Sequence, residues 1–234
     1  QLGLGAKVPT GQHDLTDTRK TLTGSERVTV DQSIQPGDGG WGAIFDFQAY
    51  KRLKHMTFYG SGTYLANPRD TNRTPSIIVG LGLGANPAYA SLLENSVPDQ
   101  YMARAGAAFP VVKGLLTLNL GFRIEGLPRY DLIGDSHGWR RPGYETFVEP
   151  GILFTHGRST WSLYVPRALV RNRRPNPYTG NAGDATFPDY LVLVGYSYSF
   201  PPRGAGAARP AAPPPTPPGA GEPGAAPTPV TPRS

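Results

Sequence analysis

Cysteine is missing from all 234 residues, which removes disulfides, zinc–thiolate sites and thiol nucleophiles. No stretch supplies the roughly 18 consecutive apolar residues that a membrane-crossing helix needs. Hydrophobic residues reach only 38%, thin for a globular core. A wall of alternating strands needs only half of its residues to be apolar, so a mean hydropathy of -0.35 does not speak against a membrane. A charged-then-apolar leader is also lacking, and Gln1 stands at or just before a strand, as in a mature chain or a fragment. The net charge of +6 favours anions. The basic residues fall mainly in loops and turns, without an aromatic-interleaved basic face, so lipopolysaccharide phosphates suit them and nucleic acid is not expected.

What the chain does have is period-two alternation, the mark of strands. Leu2, Leu4, Ala6 and Val8 alternate with Gly3, Gly5 and Lys7. Trp41, Ala43, Phe45, Phe47 and Ala49 alternate with Gly42, Ile44, Asp46, Gln48 and Tyr50. Met56 to Ala66 is a third, poorer run. Tyr101 to Phe109 alternates against Met102, Arg104 and Gly106. In the cleanest run, Leu116, Leu118, Leu120, Phe122 and Ile124 oppose Thr117, Asn119, Gly121, Arg123 and Glu125. Thr146 to Phe154 opposes Glu145, Glu149 and Gly151, and Trp161, Leu163 and Val165 open a seventh run in which Pro166 marks a bulge. Tyr190 to Phe200 is the eighth, apolar on one face and running into glycine and serine on the other.

The connections alternate in length. Lys51–Lys54, Pro110–Gly114 and His156–Ser159 are short; Pro9–Gly40, Asn67–Pro98, Gly126–Gly143 and Arg171–Pro188 are long. This layout is that of an all-β, up-and-down antiparallel transmembrane β-barrel with tight periplasmic turns and long extracellular loops. Trp41, Tyr101, Tyr144 and Tyr190 fall at one set of strand ends, and Phe109, Phe154, Trp161, Tyr198 and Phe200 at the other, as two aromatic girdles. Eight strands are visible. Ile77 to Gly84 with Ala88 to Leu93 forms either a further hairpin or, preferred here, a loop, because Gly-rich strands pair weakly. That hairpin, or an N-terminal pair, would raise the total to ten or twelve. The barrel domain is 1–200. Residues 201–234, almost wholly Pro, Ala, Gly and Thr, form a disordered tail on the periplasmic side.

Lys7, Asp46, Arg104, Arg123, Glu125, Glu145 and Glu149 fall on the lumen side, as a charge network with Arg104 and Arg123 opposite Glu125 and Glu149. In a barrel of about eight strands side chains fill the interior, and the charges must pair. In one of ten to twelve, the same charges line a conduit. Gly134-Asp135-Ser136-His137-Gly138 looks superficially like a hydrolase motif but lacks the strand–turn–helix setting of a nucleophile elbow. His13, His55, His137 and His156 show no metal-ligand spacing, and Gly80 to Gly84 lacks the context of a phosphate loop. No catalytic residue, metal or cofactor is expected. Loop arginines (Arg69, Arg73, Arg129, Arg140, Arg141, Arg171, Arg173, Arg174) are of the type that grips lipid phosphates.

Leu4-Gly5-Ala6-Lys7-Val8-Pro9-Thr10-Gly11 resembles the Gly-x-Lys-x-Pro-Thr-Gly signature of a family of bacterial outer-membrane β-barrels classed as transporters and named for a phenol meta-degradation pathway. Tyr64 to Asn72, Asn95 to Tyr101, Arg123 to Gly126 and Arg140 to Tyr144 resemble the same group, so the likeness spans most of Leu2 to Phe200. It implies a Gram-negative outer-membrane location, lipid and lipopolysaccharide as surroundings, and insertion by the outer-membrane assembly machinery. Members carry additional N-terminal strands, and the tail beyond Phe200 departs from them. The function expected is a porin-like, non-enzymatic channel or transporter for small molecules through a polar lumen. The alternatives are a structural barrel with a plugged lumen, acting through its extracellular loops and a periplasmic or envelope partner of the tail, and more weakly a membrane-embedded hydrolase. Deleting residues 201–234 should leave heat-modifiable gel migration intact; its loss would show that the tail is part of the folded unit.

Overall fold

The alternation becomes a curled antiparallel sheet in the computed structural model, which describes residues 1–21, 24–180 and 187–200. The tail at 201–234 lies outside the described residues. In chain order the strands are β1 (Leu2–Lys7), β2 (Thr16–Thr21), β3 (Gly24–Thr29), β4 (Gly42–Arg52), β5 (Thr57–Ala66), β6 (Thr71–Pro75), β7 (Glu94–Ser96), β8 (Gln100–Val112), β9 (Leu116–Leu127), β10 (Gly143–His156), β11 (Ser159–Tyr164), β12 (Arg167–Arg173) and β13 (Leu193–Tyr198). Nine of them form one sheet in the order β1-β4-β5-β8-β9-β10-β11-β13, with β12 continuing the β11 side of β10. The seven expected pairings between successive runs are therefore all present. Among the described residues β1 and β13 do not pair with each other, so the sheet is a half-barrel with two edges.

Pro166 interrupts the seventh run where the sequence placed a bulge. Tyr164 still pairs with Gly151 and Arg167 resumes on Val148. The same break shortens the last strand. Tyr190 makes only an isolated bridge to Arg167, and regular pairing starts at Leu193. The expected strand from Tyr190 to Phe200 is thus corrected to Leu193–Tyr198: at its start the neighbouring strand is interrupted at Pro166, which has no N–H to donate, and at its end Ser199 N donates to Arg158 O of the β10–β11 turn.

The two faces differ as the alternation demands. On the convex face Leu118, Leu120, Phe122 and Val194 are 42%, 48%, 59% and 72% exposed. On the concave face Arg104, Arg123, Glu145, Phe147, Glu149 and Tyr164 are buried. Glycine makes that packing possible. A Cβ on Gly151 would lie 2.2 Å from the Tyr164 ring, and one on Gly121 would lie 2.6 Å from the Tyr59 hydroxyl. The Tyr164 ring and the hydroxyl end of Tyr59 occupy these bare stretches of backbone.

The long connections are structured. Segment 9–41 contains the β2–β3 hairpin, and segment 67–99 contains β6, a short helix at Ile77–Gly80, a 3-10 stretch at Pro87–Leu92, and β7. Ile77 to Gly84 is a loop region, as preferred, and adds no strand to the wall. Gly106 should tolerate no side chain, since its Cβ would meet Leu120 O at 2.6 Å and Gly121 Cα at 2.7 Å. Gly106→Val is expected to lower unfolding stability in denaturant by about 1–3 kcal/mol or to prevent folding; a wild-type midpoint would contradict this packing.

Candidate functional site

The concave face is best followed as rows of residues facing one another across the strands. One row holds Ser61, Arg104, Arg123 and Phe147; the next holds Tyr59, Gly106, Gly121 and Glu149. Arg104 and Arg123 are direct register partners, two like charges side by side. Arg104 resolves the conflict by reaching across Gly121 to the neighbouring row. Its Nε donates to Glu149 Oε2 at 2.8 Å, and Nη2 contacts Oε1 of the same carboxylate. The two side chains are 3% and 0% exposed, so this is a fully buried ion pair. Tyr164 lies against it, its ring 5.8 Å from the Arg104 guanidinium carbon. Arg123 stacks on Phe147 at 4.5 Å and reaches Glu125 at 3.3 Å.

Nearer the loop end, Asp46, Thr63, Met102, Glu125, Glu145 and Arg171 form a further row. Thr63 donates to Asp46 at 2.5 Å, and Arg171 lies 3.5 Å from Glu145. Lys7 points to the same end and binds Asp38 of the first long loop at 2.5 Å. The structure therefore brings together Arg104 with Glu149 and Arg123 with Glu125, while Glu145, Asp46 and Lys7 find partners at Arg171, Thr63 and Asp38. Asp38 and Arg171 were not legible as partners, because neither stands at a fixed offset from the residue it meets.

Several of the aromatic residues assigned to girdles share rows with other aromatics. Tyr101 follows Phe45 and Tyr64 in a row across β4, β5 and β8, and Tyr144 faces Gly126 in the same row. Phe154, Trp161 and Tyr196 run across β10, β11 and β13 with ring centroids 5.8 and 5.5 Å apart, and Tyr198 packs on Phe200 at 5.0 Å. Phe109 sits in the adjoining row opposite Leu118. Trp41 and Tyr190 are exposed just outside their strands.

Above the sheet the long loops lock onto one another. Arg140 is buried and grips Asp131 through both guanidinium ends, with Nη1 donating to Oδ1 at 2.9 Å, and it also donates to Ser96. Asp99 is buried and accepts from the backbone of Asn67 and Leu132. Arg141 binds Asp31 in a two-pronged contact at 2.9 and 2.7 Å. That contact holds the Asp31 carboxyl well below the usual carboxylate range, against the opposing pull of burial. A carboxyl depressed in the folded state contributes stability above its unfolded pKa and loses it only as pH falls through the folded value. This loop contact therefore persists through mild acid.

Arg69 donates to Thr71 O and Gly39 O. Like Arg140, Arg141 and Arg171, it is spent on polar contacts within the protein. Arg129 and Arg174 lie over Tyr130 and Tyr144.

The glycine-rich Gly134–Gly138 segment lies in this layer. Ser136 is buried, has φ 62, and its Oγ accepts from the Asp131 backbone at 2.8 Å. His137 lies with Nδ1 3.2 Å from Asp70 Oδ2 and its ring stacked 5.0 Å from that of Tyr178. Asp70, Asp135 and His137 carry ligand-type atoms within 4.8 Å of one another on an exposed surface, a set that can hold a metal ion. Sequence spacing could not show this set, since Asp70 comes from a different loop.

Neither models of protein families nor curated proteins match this chain. Replacing Glu149 with Gln leaves the Arg104 charge buried without a counter-ion and should cost about 3–5 kcal/mol in denaturant unfolding. The double variant Arg104→Met/Glu149→Leu should recover most of that loss. Equal losses in both would show that the pair is not the buried unit described.

Proposed function

We propose that the chain is an integral outer-membrane β-barrel of a Gram-negative envelope, with a sealed polar interior, acting through its loop layer. One observation carries the membrane assignment: the polarity is inverted. An ion pair is buried on the concave face, while Leu120, Phe122 and Val194 stand uncovered on the convex one. Soluble proteins rarely expose contiguous apolar surface on this scale, and an outer-membrane barrel turns such a face to lipid. The aromatic rows suit the two interfaces. In this reading the long loops lie outside, toward lipopolysaccharide, and the short turns lie in the periplasm. Insertion would fall to the outer-membrane assembly machinery. The resemblance to the transporter family named for phenol meta-degradation supports the same location.

The sealed interior is favoured over an open bore because Arg104 and Glu149 are already spent on each other and Tyr164 lies buried against them. A second reading, passage of small molecules, is favoured by the charged row of Asp46, Glu125, Glu145 and Arg171 toward the mouth. Ser136 is buried, with its Oγ accepting from the Asp131 backbone.

Planar-bilayer recordings of the folded full chain separate the two readings. The sealed form should show no stepwise conductance, and Arg104→Ala/Glu149→Ala should raise leakage; steady wild-type channels would establish the conduit instead. Leu120→Arg, unfolded from vesicles, should cost about 2–4 kcal/mol; no cost would remove the membrane assignment.

A further inference from the structure

The second and third long loops meet at Asp70, Asp135 and His137, three residues that neither the wall nor the sealed interior uses. His137 Nδ1 lies 3.2 Å from Asp70 Oδ2 and 4.0 Å from Asp135 Oδ2, and the three ligand-type atoms fall within 4.8 Å of one another. A tetrahedral ion with N and O ligands at about 2.0–2.2 Å spaces those ligands about 3.4 Å apart. The contact to Asp70 is close to that spacing. The contact to Asp135 reaches it by a small swing of a side chain that is 79% exposed.

An ordinary histidine–aspartate contact explains Asp70 but not Asp135. Two carboxylates converge on one imidazole, which carries at most a single positive charge. Arg140, whose charge is felt at the adjoining Tyr178, is already paired with Asp131. A divalent cation bound through neutral imidazole balances both carboxylates at once.

Each ligand is also held in place from outside. Asp70 Oδ1 accepts from the Asp135 backbone N–H at 2.9 Å, which leaves Oδ2 facing the imidazole. Gly134 permits that approach: its φ is 102°, and a Cβ there would stand 2.4 Å from Asp70 Oδ1. The His137 ring lies 5.0 Å from that of Tyr178 and 12° from parallel, and the Tyr178 hydroxyl donates to Asp135 O. Between the two ligands of the third loop, Ser136 is buried and anchored to the Asp131 backbone. Outer contacts of this kind orient the ligands of metal sites.

The donor set selects the ion. Calcium and magnesium take oxygen ligands, whereas imidazole suits zinc, copper and nickel. Three protein ligands at an exposed surface leave a further position for water.

We propose that Asp70, Asp135 and His137 bind a divalent transition-metal ion of the zinc class, which clips the second long loop to the third at the rim of the loop layer. The ion takes the place of the proton between His137 Nδ1 and Asp70. This refines the loop-layer part of the proposed function and depends only on the loop contacts, so it stands whether or not the convex face meets lipid.

The test uses the full chain, folded in detergent and stripped with EDTA. It is titrated with Zn²⁺ in a calorimeter, and Co²⁺ binding is followed by visible absorption. The lack of cysteine removes thiolate competition. Wild type should take up one Zn²⁺ per chain saturably, and Co²⁺ should develop visible bands. His137→Ala and Asp135→Asn should each weaken binding by more than about tenfold, and His55→Ala/His156→Ala should leave it unchanged. If His137→Ala fails to fold by circular dichroism, Asp135→Asn at its mostly exposed position decides. No uptake, or uptake that Asp135→Asn leaves at the wild-type level, would overturn the site. Equimolar Ca²⁺ displacing the zinc would overturn the class of ion. Zinc uptake by a chain that fails to float with vesicles would uphold the site and remove only the membrane reading.

Discussion

The Arg104–Glu149 pair exists because Gly121 lies between its partners. A side chain on Gly121 would strike Tyr59 and fill the space through which the guanidinium reaches a strand beyond its neighbour. Without that reach, Arg104 would face Ser61 and Arg123, its register partners, and two like charges would be left in a low-dielectric interior. The bare backbone at Gly106, Gly121 and Gly151 is thus what allows two arginines, two tyrosines and a carboxylate to share one layer. Apolar packing is secondary on this face, where Phe147 and Leu153 are the buried large apolar residues of β10.

The wall was readable because period two survives without any knowledge of what it faces. Leu116 to Glu125 carries the same alternation whether its apolar side meets protein or hydrocarbon. The loops were harder because their stability comes from polar contacts between distant residues. Neither β2 nor β3 alternates, since Thr-Asp-Thr-Arg-Lys-Thr is polar on both sides. The pairing of Arg140 with Asp131, and of Arg141 with Asp31, depends on backbone that only the folded loops bring together. The inner charges sit midway between these cases. Their face followed from parity, but their partners required register, and register places Arg123 beside Phe147 and Arg104 beyond it.

Polar order continues from wall to loops. Lys7 ends β1 and holds Asp38, whose backbone carbonyl accepts from Asn72 in the second long loop. Ser96 in that loop receives Arg140 from the third. The loop layer is therefore tied to the sheet and to itself by hydrogen bonds to charged groups, stronger than neutral ones. A surface held this way presents fixed chemistry at its rim, including the Asp70–Asp135–His137 set.

In the large sheet every strand is bonded to the strand before it in that sheet, apart from the division of one position between β11 and β12. Chain-closure entropy rises only slowly with the span enclosed, and three of these spans are short turns. The wall can consequently form one hairpin at a time, each strand pairing with its predecessor in the sheet. The insertion of a long loop between successive hairpins interrupts that growth without changing which edge receives the next strand.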